Sequence, residues 1–148
     1  MRHVLIAALL VAPTLTIAET PEEKAVETRQ GYFSLLGANM GVFAGMAKGQ
    51  IDYDAEAAQK AADNVVLLSS YNTGHLFMEG TSSLDLDNTR ALPDIWDDMA
   101  GVEAKFDNLN KAALAMQAVA GNGKAEMAGA LGTLGGACKS CHDDYRAD

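Results

Sequence analysis

Two cysteines and a histidine near the end of the chain form the run Cys138-Lys139-Ser140-Cys141-His142, and the sequence holds no other cysteine. Two thiols separated by two residues lie about one helical turn apart. That separation matches the two vinyl groups on one edge of a porphyrin, and the next residue then projects beneath the ring. C-x-x-C-H is the attachment signature of a c-type haem. The spacing therefore predicts one covalent haem c per chain, bound through Cys138 and Cys141, with His142 as the iron ligand.

Three other kinds of site use the same residue types. A zinc site would need at least one more ligand, for which the chain offers His75 or a carboxylate. A redox dithiol of the thioredoxin kind belongs at the start of a helix in a βαβ unit, whereas this pair ends a chain without predicted strands. A structural disulfide would leave the histidine without a role. These three alternatives stay open beside haem attachment.

The elements that must position this motif are predicted to be helices. Apolar residues recur every three or four positions in four stretches, which is the helical period. The stretches run from Thr20 to Lys48-Gly49, from Asp54 to about Tyr71, from Pro93 to about Met116, and from Ala125 through Tyr145. Residues 74–90 are polar and are predicted to be a long loop. The pattern predicts an all-α fold, an antiparallel four-helix bundle with covalently attached haem.

The first 18 residues have the pattern of an export signal. Arg2 precedes an apolar run from Val4 to Val11, and Thr16 and Ala18 supply small residues before a cleavage point. The run is shorter than the roughly 20 residues that span a bilayer. We predict that residues 1–18 are a signal peptide and that residues 19–148 form one periplasmic domain, with no membrane insertion after cleavage.

The charge balance excludes one broad class of function. The chain has 20 acidic and 11 basic side chains and a formal net charge of −9. A general nucleic-acid binder must neutralise a run of phosphates, and this composition does not allow that. With 49% hydrophobic and 21% charged residues, the chain has the balance of an ordinary soluble globular domain.

The motif lies at the end of the last helix. In this the chain resembles the class II cytochromes c, and among them cytochrome c′. The resemblance covers essentially the whole chain after the signal. Its markers are Arg29-Gln30, the run from Lys48 to Asp54, the run from Leu92 to Trp96, and the run from Cys138 to Arg146. It implies a four-helix bundle with haem near one end and His142 as the single protein ligand, partly exposed on its own side.

The resemblance also implies which side chains surround the haem. Arg29 and Gln30 match family positions beside the haem edge and its propionates. Thr89 and Arg90 lie where the long loop approaches the haem in relatives. Arg146 lies one helical turn after the iron ligand and is placed to tune it. The residues alone allow other roles for both arginines. Arg29 could form an ion pair with a glutamate of the first turn, and Arg146 could interact favourably with the dipole at the end of the last helix.

The sixth coordination position decides function within the family. Low-spin relatives place a methionine there and carry electrons, and the matching position here is Phe33, four residues after Arg29 on the same helix face. A phenyl ring cannot bind iron, so the resemblance implies five-coordinate, high-spin iron under an apolar lid. Such a pocket favours nitric oxide and carbon monoxide over dioxygen. Phe33 could equally be an ordinary core residue that fills space beside the haem. If the register of the first helix differs from the one assumed here, Met40 is the competing sixth ligand.

These observations predict an exported protein that binds diatomic gases and can pass single electrons to an unidentified redox partner. A six-coordinate, low-spin electron carrier of the same family is one alternative, and a haem enzyme that turns over nitric oxide or peroxide is another. We assign no catalytic residue and predict that the protein is not an enzyme. Family members often form homodimers through their first two helices. Small residues that could allow a close approach here are Gly37, Ala38, Gly41, Ala44 and Gly45.

Overall fold

The computed structural model describes residues 19–148, so the predicted signal peptide lies outside the described residues. Within this range the chain forms helices α1 (Pro21–Ala47), α2 (Ala55–Ser69), α3 (Asp94–Asp97), α4 (Met99–Gln117) and α5 (Lys124–Tyr145). A 3-10 turn, Gly74–Leu76, follows α2. The extended pairing in residues 19–148 is one isolated bridge between Ala91 and Arg146. The predicted all-α class is confirmed.

Side-chain caps begin both α1 and α2. The Thr20 hydroxyl accepts a hydrogen bond from the Glu23 amide at 3.2 Å, and the Glu23 carboxylate accepts one from the Thr20 amide at 2.8 Å. This reciprocal capping box starts α1. At α2 the Asp54 carboxylate accepts from the Ala57 amide at 2.8 Å. Each bond satisfies a backbone donor that a helix N-terminus otherwise leaves free.

The third predicted helix is two helices, and this part of the prediction is wrong. Pro93 precedes the four-residue α3, and the chain then leaves helical geometry at Asp98, with φ −134° and ψ 56°. The Asp98 carboxylate accepts from the Gly101 amide at 3.0 Å and so caps α4. The apolar period continues across the break from Ile95 to Val102. The apolar periodicity alone therefore does not reveal the break at Asp98.

The four long helices pack in the cyclic order α1, α2, α4, α5, and each contacts its two neighbours. One cluster of buried apolar side chains fills the centre. Its large, fully buried members include Phe43, Met46, Val65, Met116, Met127 and Leu134. Burying each such side chain stabilises the fold by about 1.5–3 kcal/mol. The predicted four-helix bundle is confirmed, and none of its helices has the length and apolar content needed to cross a bilayer.

The long connection between α2 and α3 is ordered by side chains that it encloses. Thr81 and Ser82 are buried. The Thr81 hydroxyl donates to the Met78 carbonyl at 2.6 Å, and the Ser82 amide donates to the Asp85 carboxylate at 3.0 Å. The predicted loop is confirmed as a loop. Its polar residues bond to one another, which gives it a fixed shape.

Candidate functional site

A cavity of about 880 Å³ opens between α1, α4, α5 and the end of the long loop. Its volume lies in the range of cofactor sites. Much of its wall is apolar and includes Leu36, Phe77, Ile95 and Phe106. The wall also brings together every residue that the sequence assigned to the cofactor. They are Arg29, Gln30, Phe33, Thr89, Arg90, Cys138, Cys141, His142 and Arg146.

The two thiols lie on the cavity wall in the last turns of α5. Both cysteines are free and partly buried. Burial raises the pKa of Cys138 and of Cys141. The pocket thus disfavours thiolates, and it suits thioether sulfurs, which carry no charge.

The predicted iron ligand lies between the cavity and the solvent. His142 borders the main cavity and also a smaller cleft that it shares with Arg90 and Arg146. Partial burial lowers the pKa of His142, and the positive charge of Arg90 lowers it further. Neutral imidazole is the form that binds a metal ion. Burial and the charge of Arg90 together outweigh the opposing charge of Asp143, so the site favours the neutral imidazole that ligation needs.

Arg29 is a buried cation, with 4% of its surface exposed. One terminal nitrogen donates to the Thr81 hydroxyl at 2.9 Å and to the Leu76 carbonyl at 3.3 Å. The other donates to the Thr81 carbonyl and to the Thr89 hydroxyl, both at 2.9 Å. The guanidinium also lies 5.6 Å from the centre of the Phe77 ring. Burial lowers the pKa of Arg29.

The alternative that Arg29 pairs with glutamates of the first turn is wrong. None of the ion pairs found within residues 19–148 includes it, and its four acceptors are neutral. A buried charge without an opposite charge is costly. The haem carries two propionates, and an anion at this wall would offset that cost. Arg29 therefore fits the predicted cofactor.

Polar groups near Phe33 are engaged by the protein. The Gln30 amide donates to the Asn88 carbonyl at 2.6 Å, and the Ser34 hydroxyl donates to the Gln30 carbonyl at 2.8 Å. The Phe33 ring packs edge-on to Tyr32 at 5.2 Å and stacks with Phe106 at 6.4 Å. Phe33 therefore presents a fixed apolar surface to the cavity.

Two wall residues, Lys105 and Tyr145, were given no role by sequence reasoning. The Lys105 ammonium pairs with the Asp144 carboxylate at 2.7 Å. The Tyr145 hydroxyl donates to the Asp98 carboxylate at 2.7 Å. Sequence signals existed for both. Lys105 lies three residues after a buried apolar position, and Tyr145 lies four residues after the second cysteine, on the same face.

The alternatives for the cysteine pair fit this geometry poorly. Among residues 19–148, no three side chains of the types His, Cys, Asp and Glu converge to hold an ion. The pair lies toward the C-terminal end of α5, whereas a reactive dithiol gains its lowered pKa at a helix N-terminus. The donor set and the apolar cavity together fit a covalently attached haem.

Comparisons with known proteins agree with this site. The family model described as cytochrome c′ matches residues 24–146. A cytochrome c′ of Cereibacter sphaeroides is 43% identical over 146 residues, which cover 99% of this chain and 98% of that protein. The solved cytochrome c′ from Rhodobacter Spheriodes superposes with a TM-score of 0.83 at 43% identity, over 87% of this chain and 99% of that chain. Another solved cytochrome c′ is described as having an unusual ligand-controlled dimer dissociation. It superposes with a TM-score of 0.76 at 30% identity, over 88% of this chain and 100% of that chain.

Replacing Arg29 tests its role in holding the loop. Arg29→Met leaves the Leu76 and Thr81 carbonyls without their buried donor, and we expect the free energy of unfolding to fall by about 3 kcal/mol. Gln30→Met is the matched control, because it removes one hydrogen bond of an exposed side chain, and we expect a loss under about 1 kcal/mol. Urea unfolding of the haem-loaded protein measures both. Equal small losses would contradict the role given to Arg29.

Proposed function

This chain belongs to the cytochrome c′ family and is therefore a haem c protein, and on that premise we propose that His142 is the single protein ligand to its iron. When bound, the haem supplies an iron that can take nitric oxide or carbon monoxide and can gain or lose one electron. The proposed function is capture of these gases on an apolar distal side, together with single-electron transfer to a partner not yet identified.

The observation that carries this proposal is the set of side chains that could ligate iron from the cavity wall. Beyond the cysteines and His142 they are Met40, Asp87, Lys105 and Tyr145. Lys105 is held in an ion pair and Tyr145 in a hydrogen bond, each with a carboxylate. Asp87 is exposed to solvent on the long loop, which leaves Met40 as the candidate for a sixth ligand within the bundle.

The position of Phe33 favours an open sixth position over ligation by Met40. Phe33 lies one helical turn after Arg29, near the loop residues that Arg29 holds. His142 and Arg90 border the same end of the cavity. Met40 lies seven residues beyond Phe33 on α1, which is about 10 Å along the helix axis. We therefore place Phe33, not Met40, over the iron.

The polar groups beside Phe33 support the proposed choice of gas. Gln30 and Ser34 donate to backbone carbonyls, and the terminal nitrogens of Arg29 donate to loop oxygens. Dioxygen binding gains from a hydrogen-bond donor on the distal side, whereas binding of nitric oxide or carbon monoxide does not need one. The wall around Phe33 therefore favours these two gases.

Electron transfer or gas capture is proposed here in preference to enzymatic turnover. The similar proteins are named cytochromes, which weakly supports a role other than catalysis. Peroxidase chemistry relies on a distal acid–base group. The cation nearest to Phe33 on α1, Arg29, is committed to four acceptors of the loop. We assign no catalytic residue.

A methionine at the proposed distal position tests the function directly. Phe33→Met is expected to give low-spin, six-coordinate iron and to weaken carbon monoxide binding by at least about tenfold, because the gas must displace a ligand worth ~1.4 kcal/mol or more. Absorption spectra of the ferrous protein during a carbon monoxide titration measure both effects. Met40→Leu is the control and should leave spin state and affinity unchanged. If it opens a closed sixth position instead, the electron-carrier alternative is correct.

We further propose a homodimer through a patch on α1 and α2, defined by Leu35, Asn39, Asn64 and Leu67. The two leucines are 57% and 68% exposed. The Asn64 amide donates to the Asn39 side-chain oxygen at 3.0 Å, so the patch is continuous across the two helices. One similar solved cytochrome c′ is described by the dissociation of its dimer.

The small residues of α1 divide between the surface and the core. Gly37 and Gly41 are exposed, and no protein atom lies within 4 Å of a Cβ added at either. Gly37 lines the haem cavity, and Gly41 lies one turn further along the same helix face, so these two residues lie on the cavity side of α1 and do not form part of the proposed patch. Gly45 packs against Ile51 at 3.2 Å from such a Cβ, so it serves the interior of the bundle.

Charged substitutions in the patch should separate the subunits. Leu35→Glu combined with Leu67→Glu places like charges opposite each other across a two-fold interface, and we expect a monomer. Leu114→Glu is the matched control, because Leu114 is 48% exposed on α4, outside the patch. Sedimentation velocity gives the masses. A wild-type monomer, or dissociation by the control alone, would contradict the proposed interface.

We also propose that the chain is exported to the periplasm and cleaved after Ala18. Support comes from the basic start, the short apolar run and the small residues before the cleavage point. The intact mass of protein from a periplasmic extract should correspond to a chain that begins at Glu19. A charge in the apolar run, as in Leu9→Arg, should keep the protein in the cytoplasm. Recovery of periplasmic protein that still begins at Met1 would contradict the cleavage.

A further inference from the structure

Tyr145 connects the haem-bearing end of α5 to the first turn of α4. Its side chain is 8% exposed, lines the cavity and lies three residues after His142. The hydroxyl donates to Asp98 Oδ2 at 2.7 Å. The other carboxylate oxygen, Oδ1, accepts from the Gly101 amide at 3.0 Å. One carboxylate therefore caps α4 and holds the end of α5.

The backbone around this pair allows a very close approach at Gly101. A Cβ added at Gly101 would overlap both the Asp98 carboxylate and the Tyr145 hydroxyl. Any residue other than glycine would push the two groups apart. The pair thus occupies a space that only the absence of a side chain provides.

The main chain holds Tyr145 from the opposite direction. The Leu92 amide donates to the Tyr145 carbonyl at 3.0 Å, and the Arg146 amide donates to the His142 carbonyl at 3.2 Å. The last turn of α5 is therefore fixed on one side by the segment before α3 and on the other by Asp98. His142 lies within that turn.

We propose that Asp98 and Tyr145 are positioning residues for the iron ligand, because they set the orientation of the turn that carries His142. Partners outside the ligands themselves commonly orient a metal ligand and tune the metal. Most of them bond to the ligand directly, whereas this pair acts through the helix. The inference requires haem attachment to α5 but not an open sixth position.

The protonation states keep the hydrogen bond in place. Donation from Tyr145 and from the Gly101 amide lowers the pKa of Asp98, so its carboxylate stays charged. The bond to Asp98 raises the pKa of Tyr145 to about 12, so the phenol stays protonated. Both shifts favour the protonation states in which Tyr145 donates and Asp98 accepts.

Three variants of the haem-loaded protein separate positioning from simple stabilisation. Tyr145→Phe keeps the ring and removes the donor. Asp98→Ser keeps an oxygen that can cap α4 but is too short to serve Tyr145 as well, and the third variant combines both changes. The readouts are the equilibrium constant for one-electron reduction and the electron paramagnetic resonance spectrum of the ferric protein, with urea unfolding alongside. We expect each single variant to shift the constant on the order of tenfold, and the double variant to shift it no further.

Two further variants identify the cause. Asp98→Asn removes the charge but keeps both contacts, because its oxygen can accept from the Gly101 amide while its NH2 group donates to the Tyr145 hydroxyl. It should keep the wild-type constant, and a shift as large as that of Asp98→Ser would assign the effect to charge and overturn positioning. Asp54→Ser changes the matching cap of α2, outside the cavity wall, and should shift nothing. Lower stability with an unchanged constant and spectrum in Tyr145→Phe and Asp98→Ser would also overturn the proposal, as would shifts that add in the double variant. The reduction equilibrium constant and the electron paramagnetic resonance spectrum can be measured whether the iron has five or six ligands. The result is therefore independent of the outcome of the Phe33→Met test.

Discussion

The attachment of a large apolar ring to the last turns of α5 is the constraint on which the rest of this bundle depends. Protein interiors are close-packed, so a cavity of about 880 Å³ beside the four long helices is unusual without an occupant. A haem ring held there would fill that volume and would supply apolar contact for Phe33, Phe77 and Phe106, which line the cavity. Its two carboxylates would offset the charge of the buried cation Arg29, whose partners are neutral. Apolar contact and charge compensation together explain why this end of the bundle is open.

The loop between α2 and α3 completes the site because Arg29 holds it. Four hydrogen bonds from one buried side chain reach residues 47 to 60 positions away in sequence. The loop then returns to the end of α5, where the Leu92 amide meets the Tyr145 carbonyl. Helix α1, the loop and the turn that carries His142 are thus connected through hydrogen bonds around one cavity.

Features of this structure that depend on short-range sequence patterns could be predicted, whereas features that depend on long-range contacts could not. The capping box at Thr20 and the cysteine–histidine motif are short-range patterns, so both could be predicted. The break at Asp98 could not, because the apolar period continues through it and an acidic residue there resembles an exposed one. The pairing of Asp98 with Tyr145 joins residues 47 positions apart. Its need for glycine at position 101 exists only after folding, when three groups meet in one space.

The central claim is that Phe33 leaves the iron with one protein ligand. The most direct measurement is the absorption spectrum of the purified ferrous protein before and after addition of carbon monoxide. The account predicts a high-spin spectrum that changes on addition of the gas, because the apolar wall near Phe33 offers the iron no ligand. A low-spin spectrum that carbon monoxide leaves unchanged would show a second protein ligand and contradict the claim.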